Sequence, residues 1–256
     1  MPSRLVKMFE DKKLMEKIEE RLPQLFHLDE LESSRVALVI LTYNSARFIP
    51  ALFNSLSEAE GKFALFIVDN ASQDDTVKLV REHCRKFSSF VLVRSRKNLG
   101  FSGGNNMGIR LALENFKPKY VVLLNPDVKV TRDWLRELIK CAEADPKVGI
   151  VGSKNLMWDG KTIDSVWHTF DHKTAVFKNI GHGEVDRGQY DGIRDVISVQ
   201  FSSVLIRGEL IEDIGFLDEG MFISNEDCDY CYRARLYGWK VRYCPESLVY
   251  HCLLYT

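Results

Sequence analysis

Asp127 closes an apolar run, in YVVLLNPDVKV over residues 120–130. A buried strand carries an acid at its end only at a cost, unless that end opens onto a ligand or a cation. Three other runs end in the same manner. VALVILT (36–42) closes on Thr42 and continues into Tyr43 and Asn44, FALFIVD (63–69) closes on Asp69 before Asn70, and FVLVRS (90–95) leads to Asn98 and Gly100. YVVLLN (120–125) itself closes on Asn125, followed by Pro126 and Asp127. In an open α/β sheet ligands bind outside the carboxyl ends of the strands, so these four groups are expected to converge in one crevice. Asn, Asp and Gly are also plain turn formers, which accounts for any one of these segments but poorly for all four together.

A second group of acids, Glu226, Asp227 and Asp229, falls in NEDCDYC at the start of a helix-like segment. Acids are favoured at the positive end of a helix, with Ser224 or Asn225 as its cap. The same carboxylates can take a proton from an attacking hydroxyl. The glycine-rich GFSGGNNMG (100–108) has neither the Lys-Ser/Thr ending of a phosphate-binding loop nor the spacing of a dinucleotide fingerprint. Its glycines can still bring backbone close to a base or a pyrophosphate. Four of the six cysteines, Cys228, Cys231, Cys244 and Cys252, lie near the carboxyl end. Buried thiols packed on the sheet are the expectation, and a zinc-stabilised interaction module is the competing one.

These side chains need a scaffold. The β-rich runs alternate with segments of helical period near 46–58, 74–87, 103–115 and 131–144, which predicts a mostly parallel central sheet flanked by helices. Beyond Gly149 the regularity fades through a loop-rich stretch over 155–195. A strand-like ISVQFSSVLIR, the acidic helix start, KVRYCP and SLVYH follow. Residues 1–34 differ from the rest, with Leu14, Ile18, Leu22 and Leu25 at helical spacing. They are expected to form an N-terminal helical appendage to a domain over 35–256.

The chain has 256 residues, with 35 Lys and Arg against 36 Asp and Glu, a formal net charge of -1. That balance argues against a nucleic-acid partner. No apolar run approaches the roughly 18 residues of a membrane span. The first residues carry acids where a secretory signal has its apolar core. A cytoplasmic protein is expected, able to meet the inner membrane surface peripherally.

Taken in order, LTYNSARFIPALFNSL, IVDNASQDDT, RKNLGFSGGNNMGI, LLNPDV and FISNEDCDYCYRARLYGWKVRYCPESLVYH resemble the family 2 glycosyltransferases of the GT-A (nucleotide-diphospho-sugar transferase) fold. The likeness runs from Val36 to His251 and is strongest to the rhamnosyltransferase-like branch. It implies an inverting transfer of a sugar from a dTDP- or UDP-sugar to a hydroxyl of a glycan, lipid-linked or protein acceptor. By that resemblance Thr42, Tyr43, Asn44 and Asp69 hold the base, with Asn70, Asn98, Gly100, Asn105 and Asn125 in the same nucleotide-sugar pocket. Asp69 is an acceptor suited to the ring imide N–H of uracil or thymine. Asp127 and His251 would hold Mg2+ or Mn2+, although Asn125 departs from the stricter Asp-x-Asp pattern. Asp227 takes the place of the general base, with Glu226 as the alternative. The competing implication is a catalytically inactive GT-A-like module that binds nucleotide or glycan.

Overall fold

The computed structural model describes residues 18–21 and 35–252, apart from 89, 172 and 175. Its elements in chain order are β1 (Ile18–Arg21), β2 (Val36–Thr42), α1 (Ile49–Glu58), β3 (Ala64–Asp69), α2 (Thr76–Cys84), β4 (Phe90–Ser95), α3 (Gly100–Phe116), β5 (Tyr120–Leu124) and β6 (Val128–Val130). They continue with α4 (Trp134–Glu143), β7 (Val148–Met157), β8 (Ile163–Ser165), β9 (His168–Asp171), β10 (Val176–Asn179), β11 (Arg194–Val196), β12 (Ser203–Arg207), α5 (Gly208–Ile214), α6 (Glu226–Leu236) and β13 (Lys240–His251).

Strands β4, β3, β2 and β5 pair in parallel, in that spatial order, and bring Thr42 opposite Asp69 and Ile40 opposite Leu124. Their near-continuous apolar sequence reflects burial on both faces. Alternation along the pleat sends Val39, Phe66 and Val68 towards Met107 and Leu111 of α3. Leu38, Ile40, Leu65 and Ile67 go to the other face with Leu52 and Phe53 of α1 and Trp134 and Leu138 of α4. Helix α1 begins with Pro50 in its first turn, where the missing N–H costs nothing.

The glycines of α3 do structural work. A Cβ on Gly104 would lie 2.3 Å from Leu41 Cδ1, and one on Gly108 2.4 Å from Val39 Cγ1. Spaced four apart, they share one helix face and let α3 seat directly on β2.

Two expectations change. Beyond β5 the sheet is mixed, because β12 runs antiparallel to both β5 and β7, while β13 is parallel to β7 and antiparallel to β6. KVRYCP and SLVYH are the two halves of β13, separated by a register shift between Cys244 and Leu248 that contains Pro245. A proline has no N–H for the ladder, so the bulge falls where it stands. Residues 18–21 are not helical: they form β1, which pairs antiparallel with β4 at the sheet edge. An open edge offers unpaired backbone groups, and pairing there outweighs a weak local helical preference. The other residues of the expected appendage lie outside the described ones. Among the described residues no helix is long and apolar enough to cross a membrane.

Candidate functional site

The carboxyl ends of β2, β3 and β5 and the start of α3 enclose a cavity of about 590 Å³. Of the residues expected from sequence, Tyr43, Asn44, Asn70, Asn98, Gly100, Asn125 and Asp127 line it. Phe48, Phe222 and Ile223 add apolar surface. Thr42, Asp69 and Asn105 are placed differently: they are buried and absent from the lining.

Their hydrogen bonds give the reason. Thr42 Oγ1 donates to Asp69 Oδ1 at 3.2 Å, and Asp69 Oδ2 accepts the Ser72 N–H at 3.0 Å with Arg94 Nε at 3.4 Å. Asp69 thus ties β2, β3 and β4 to the loop that follows β3. Asn105 Nδ2 donates back to the Phe101 carbonyl within α3. Asn70 does the comparable work at the cavity wall, donating to Asn98 Oδ1 at 2.8 Å and to the Gly100 carbonyl at 3.2 Å while accepting the Leu99 N–H at 2.8 Å. A side-chain amide, with two donors and an acceptor oxygen, can make all three bonds at once.

From Asp127 a row of alternating acid and imidazole leads away from the lining, to which His251, Glu226 and Asp227 do not belong. Asp127 Oδ1 is 3.3 Å from His251 Nε2, and His251 Nδ1 donates to Asp164 Oδ2 at 2.8 Å. The row is assembled by β6 and β8, which flank β13 and β7 respectively. Burial opposes charge on His251, but the carboxylates of Asp127 and Asp164 on either side outweigh it and push the imidazole up to about 10. Asp127 Oδ1 is buried, with the ion pair to His251 Nε2 in place of a well-formed hydrogen bond. A carboxylate oxygen beside an imidazole nitrogen suits a divalent cation that displaces the imidazole proton and takes its other ligands from phosphates and water. Asp164 was not among the expected residues. It lies in IDSVWH, within the loop-rich stretch, where no periodicity or motif singles it out.

The acids of NEDCDYC are placed by a loop clamped to α3. Asn106 Nδ2 donates to the Leu217 carbonyl and Asn106 Oδ1 accepts the Leu217 N–H, at 2.9 and 3.1 Å. The Phe101 N–H donates to the Phe222 carbonyl at 2.7 Å. Gly100, with φ +72°, permits this contact, since a Cβ there would lie 2.3 Å from the same carbonyl oxygen. The loop then enters α6 through Ser224 and Asn225, both in the left-handed region at φ 77° and 66°. No side-chain cap is made, so the expected capping by Ser224 or Asn225 is not how the helix starts. A left-handed residue other than glycine costs about 1 kcal/mol, strain that these two positions hold next to the acids.

Glu226 and Asp227 then diverge. Glu226 is buried, its Oε2 has no hydrogen-bond partner, and burial, reinforced by the charge of Asp227, pushes its carboxyl up to about 7. Asp227 is half-buried, with one oxygen accepting the Cys228 N–H at 2.7 Å. His168 feels the charges of both Asp227 and Asp164, although burial outweighs them and lowers its pKa. All six cysteines are buried and none forms a disulfide. The four near the carboxyl end do not gather into one centre: Cys228 meets His168 while Cys244 contacts Cys141.

The profile of the family described as Glycosyl transferase family 2 matches residues 37–189. A low-salt glycan biosynthesis hexosyltransferase of Haloferax volcanii is 27% identical over 82% of this chain and 64% of its own length. A dTDP-rhamnosyl transferase of Shigella flexneri is 23% identical over 86% of this chain and 70% of its own. A mannosyltransferase of Pyrobaculum calidifontis, solved with GDP-Man and Mn2+, superposes with a TM-score of 0.63 at 19% identity, covering 98% of this chain and 64% of that one. The fold is therefore GT-A. The chain spans about two thirds of the length of these relatives.

Proposed function

Because the chain belongs to glycosyltransferase family 2, we propose that it is an inverting glycosyltransferase using a dTDP- or UDP-sugar and a divalent cation. The acceptor is a hydroxyl of a glycan, a lipid-linked sugar or a protein. The observation that carries this reading is the pairing of Asp127, which lines a cavity built from strand ends, with His251 Nε2 at 3.3 Å.

In this reading the wall formed by Tyr43, Asn44, Asn70 and Asn98 receives the nucleoside, and backbone at Gly100 approaches the diphosphate. Asp127 and His251 would hold Mg2+ or Mn2+, which would supply positive charge for the departing diphosphate. Asp164 orients His251 through Nδ1, leaving Nε2 to face Asp127. Asp227, exposed enough to meet an acceptor, takes the proton of the attacking hydroxyl as it approaches the anomeric carbon opposite the diphosphate. Glu226, its neighbour, is the alternative base. Phe222 and Ile223 close the apolar side of the cavity and keep water from competing with the acceptor.

Similarity to a dTDP-rhamnosyl transferase supports a pyrimidine donor. Calorimetry with UDP, dTDP and GDP, with and without Mn2+, tests the reading on the intact chain and on Asp127→Ala. The expected result is tighter UDP or dTDP binding that needs Mn2+ and is lost in the variant. Equal binding of all three in excess EDTA would refute it.

A further inference from the structure

We propose that His168, Asp227 and Cys228 form a second metal site, separate from Asp127 and His251, that takes Zn2+ and silences the base. The inhibitory half of this inference rests on Asp227 being the base.

The ligand atoms of the three side chains lie within 4.8 Å of one another. His168 Nδ1 and Cys228 Sγ are 3.7 Å apart. A tetrahedral zinc with bonds of about 2.0–2.3 Å sets its ligand atoms roughly 3.3–3.8 Å apart. The sulfur–nitrogen pair already has that separation, and the carboxylate needs to close by about 1 Å, within reach of a rotamer change. One oxygen of Asp227 accepts the Cys228 N–H, which points the carboxylate towards its neighbour's side of the helix. The fourth position is left to water.

Two elements, β9 and α6, bring the ligands together. His168 opens β9 and is held by a backbone bridge to Ser198, while Asp227 and Cys228 occupy the first turn of α6. Ser198 Oγ lies 3.2 Å from His168 Nδ1 and 3.6 Å from Cys228 Sγ, a hydroxyl that can rotate aside when an ion enters. Nitrogen, sulfur and carboxylate together select zinc over magnesium or manganese, which take oxygen ligands. The Asp127 site has the opposite preference, because a diphosphate completes it. On binding, Cys228 enters as thiolate and its proton passes to solvent, while the imidazole contributes a nitrogen lone pair and Asp227 a carboxylate oxygen. With one oxygen on zinc and the other accepting the Cys228 N–H, the carboxylate loses basicity and takes the acceptor hydroxyl's proton poorly.

The experiment uses the intact chain stripped with EDTA and titrated with Co2+ as a spectroscopic stand-in, then with Zn2+ in the presence of Mn2+, with donor turnover followed in parallel. Wild-type protein is expected to show a thiolate-to-cobalt charge-transfer band, to bind a single Zn2+ and to lose turnover. Cys228→Ser should lack the band, and both it and His168→Gln should bind Zn2+ at least about 10-fold more weakly and keep turnover when Zn2+ is added. Asp127→Ala should retain Zn2+ binding. Absence of the band, or Zn2+ binding lost in Asp127→Ala and kept in Cys228→Ser, overturns the site. Zn2+ bound through Cys228 with turnover undiminished upholds the site and overturns Asp227 as the base.

Discussion

Glu226→Gln offers a test in which stability and chemistry separate. Glu226 is 8% exposed, one of its oxygens is buried without a partner, and its carboxyl is raised to about 7 from an ordinary 4.5. A carboxyl whose folded value is raised favours the folded state when protonated. Its contribution is fully present below about pH 4.5 and is lost as the pH rises through about 7. With one pKa unit worth about 1.4 kcal/mol, the shift amounts to roughly 3–4 kcal/mol of stability missing above pH 7.5. Glutamine keeps the shape and removes the charge. The variant should match wild-type stability at pH 4.5 and exceed it by about 3 kcal/mol at pH 8, read from urea unfolding at both values. Donor turnover should stay within a few-fold of wild type if Asp227 is the base. Equal stability at pH 8 would refute the burial argument, and a collapsed rate would move the base to Glu226.

Gly104→Val places a branched side chain where even a Cβ would lie 2.3 Å from Leu41. The resulting clash, about 1–3 kcal/mol, should exceed the few tenths that valine gains over glycine in helix propensity. A lower urea midpoint is the expected outcome. His251 carries the opposite pH sign to Glu226. Its folded value of about 10 lies above the ordinary 6.5, so its contribution is full below about pH 6.5 and is lost as the pH rises towards 10. A cation at Nε2 must displace that proton, so Mn2+ affinity measured by calorimetry should rise with pH across the same window. Asp164→Asn should shift that rise to lower pH, because one of the two carboxylates holding the proton is gone.

The parallel half of the sheet was legible because a strand buried on both faces must be apolar at every position, and VALVILT and YVVLLN have no other use. The polar groups closing those strands were legible as a set. Their individual tasks were not, because an aspartate facing a ligand and one tying two loops together look alike in sequence. Asp69 proved to be the second kind. Asp164 was invisible for a different reason: it meets His251 from 87 positions away, across two strands of the sheet, and only the tertiary pairing of β7 with β8 and β13 brings them together. The mixed half of the sheet was hidden in its directions: ISVQFSSVLIR, KVRYCP and SLVYH read as strands, but only tertiary pairing sets β12 antiparallel and β13 parallel to β7. Residues 18–21 show the limit of periodicity, since a stretch with apolar residues at helical spacing became an edge strand once a partner edge was at hand.

The most direct test of the central claim is Asp227→Asn, measured for donor affinity in Mn2+, melting temperature and transfer rate in one preparation. Asparagine keeps the size of the side chain and its place in the first turn of α6 while removing its ability to take a proton. Donor affinity and melting temperature should be close to wild type, and the rate should fall by about 100-fold or more. If the carboxylate only complements the positive end of the helix, the same change should cost at most about 1 kcal/mol of stability and leave the rate nearly intact. A near-normal rate in Asp227→Asn, with Glu226→Gln also near normal, would contradict the assignment of catalysis to this helix start.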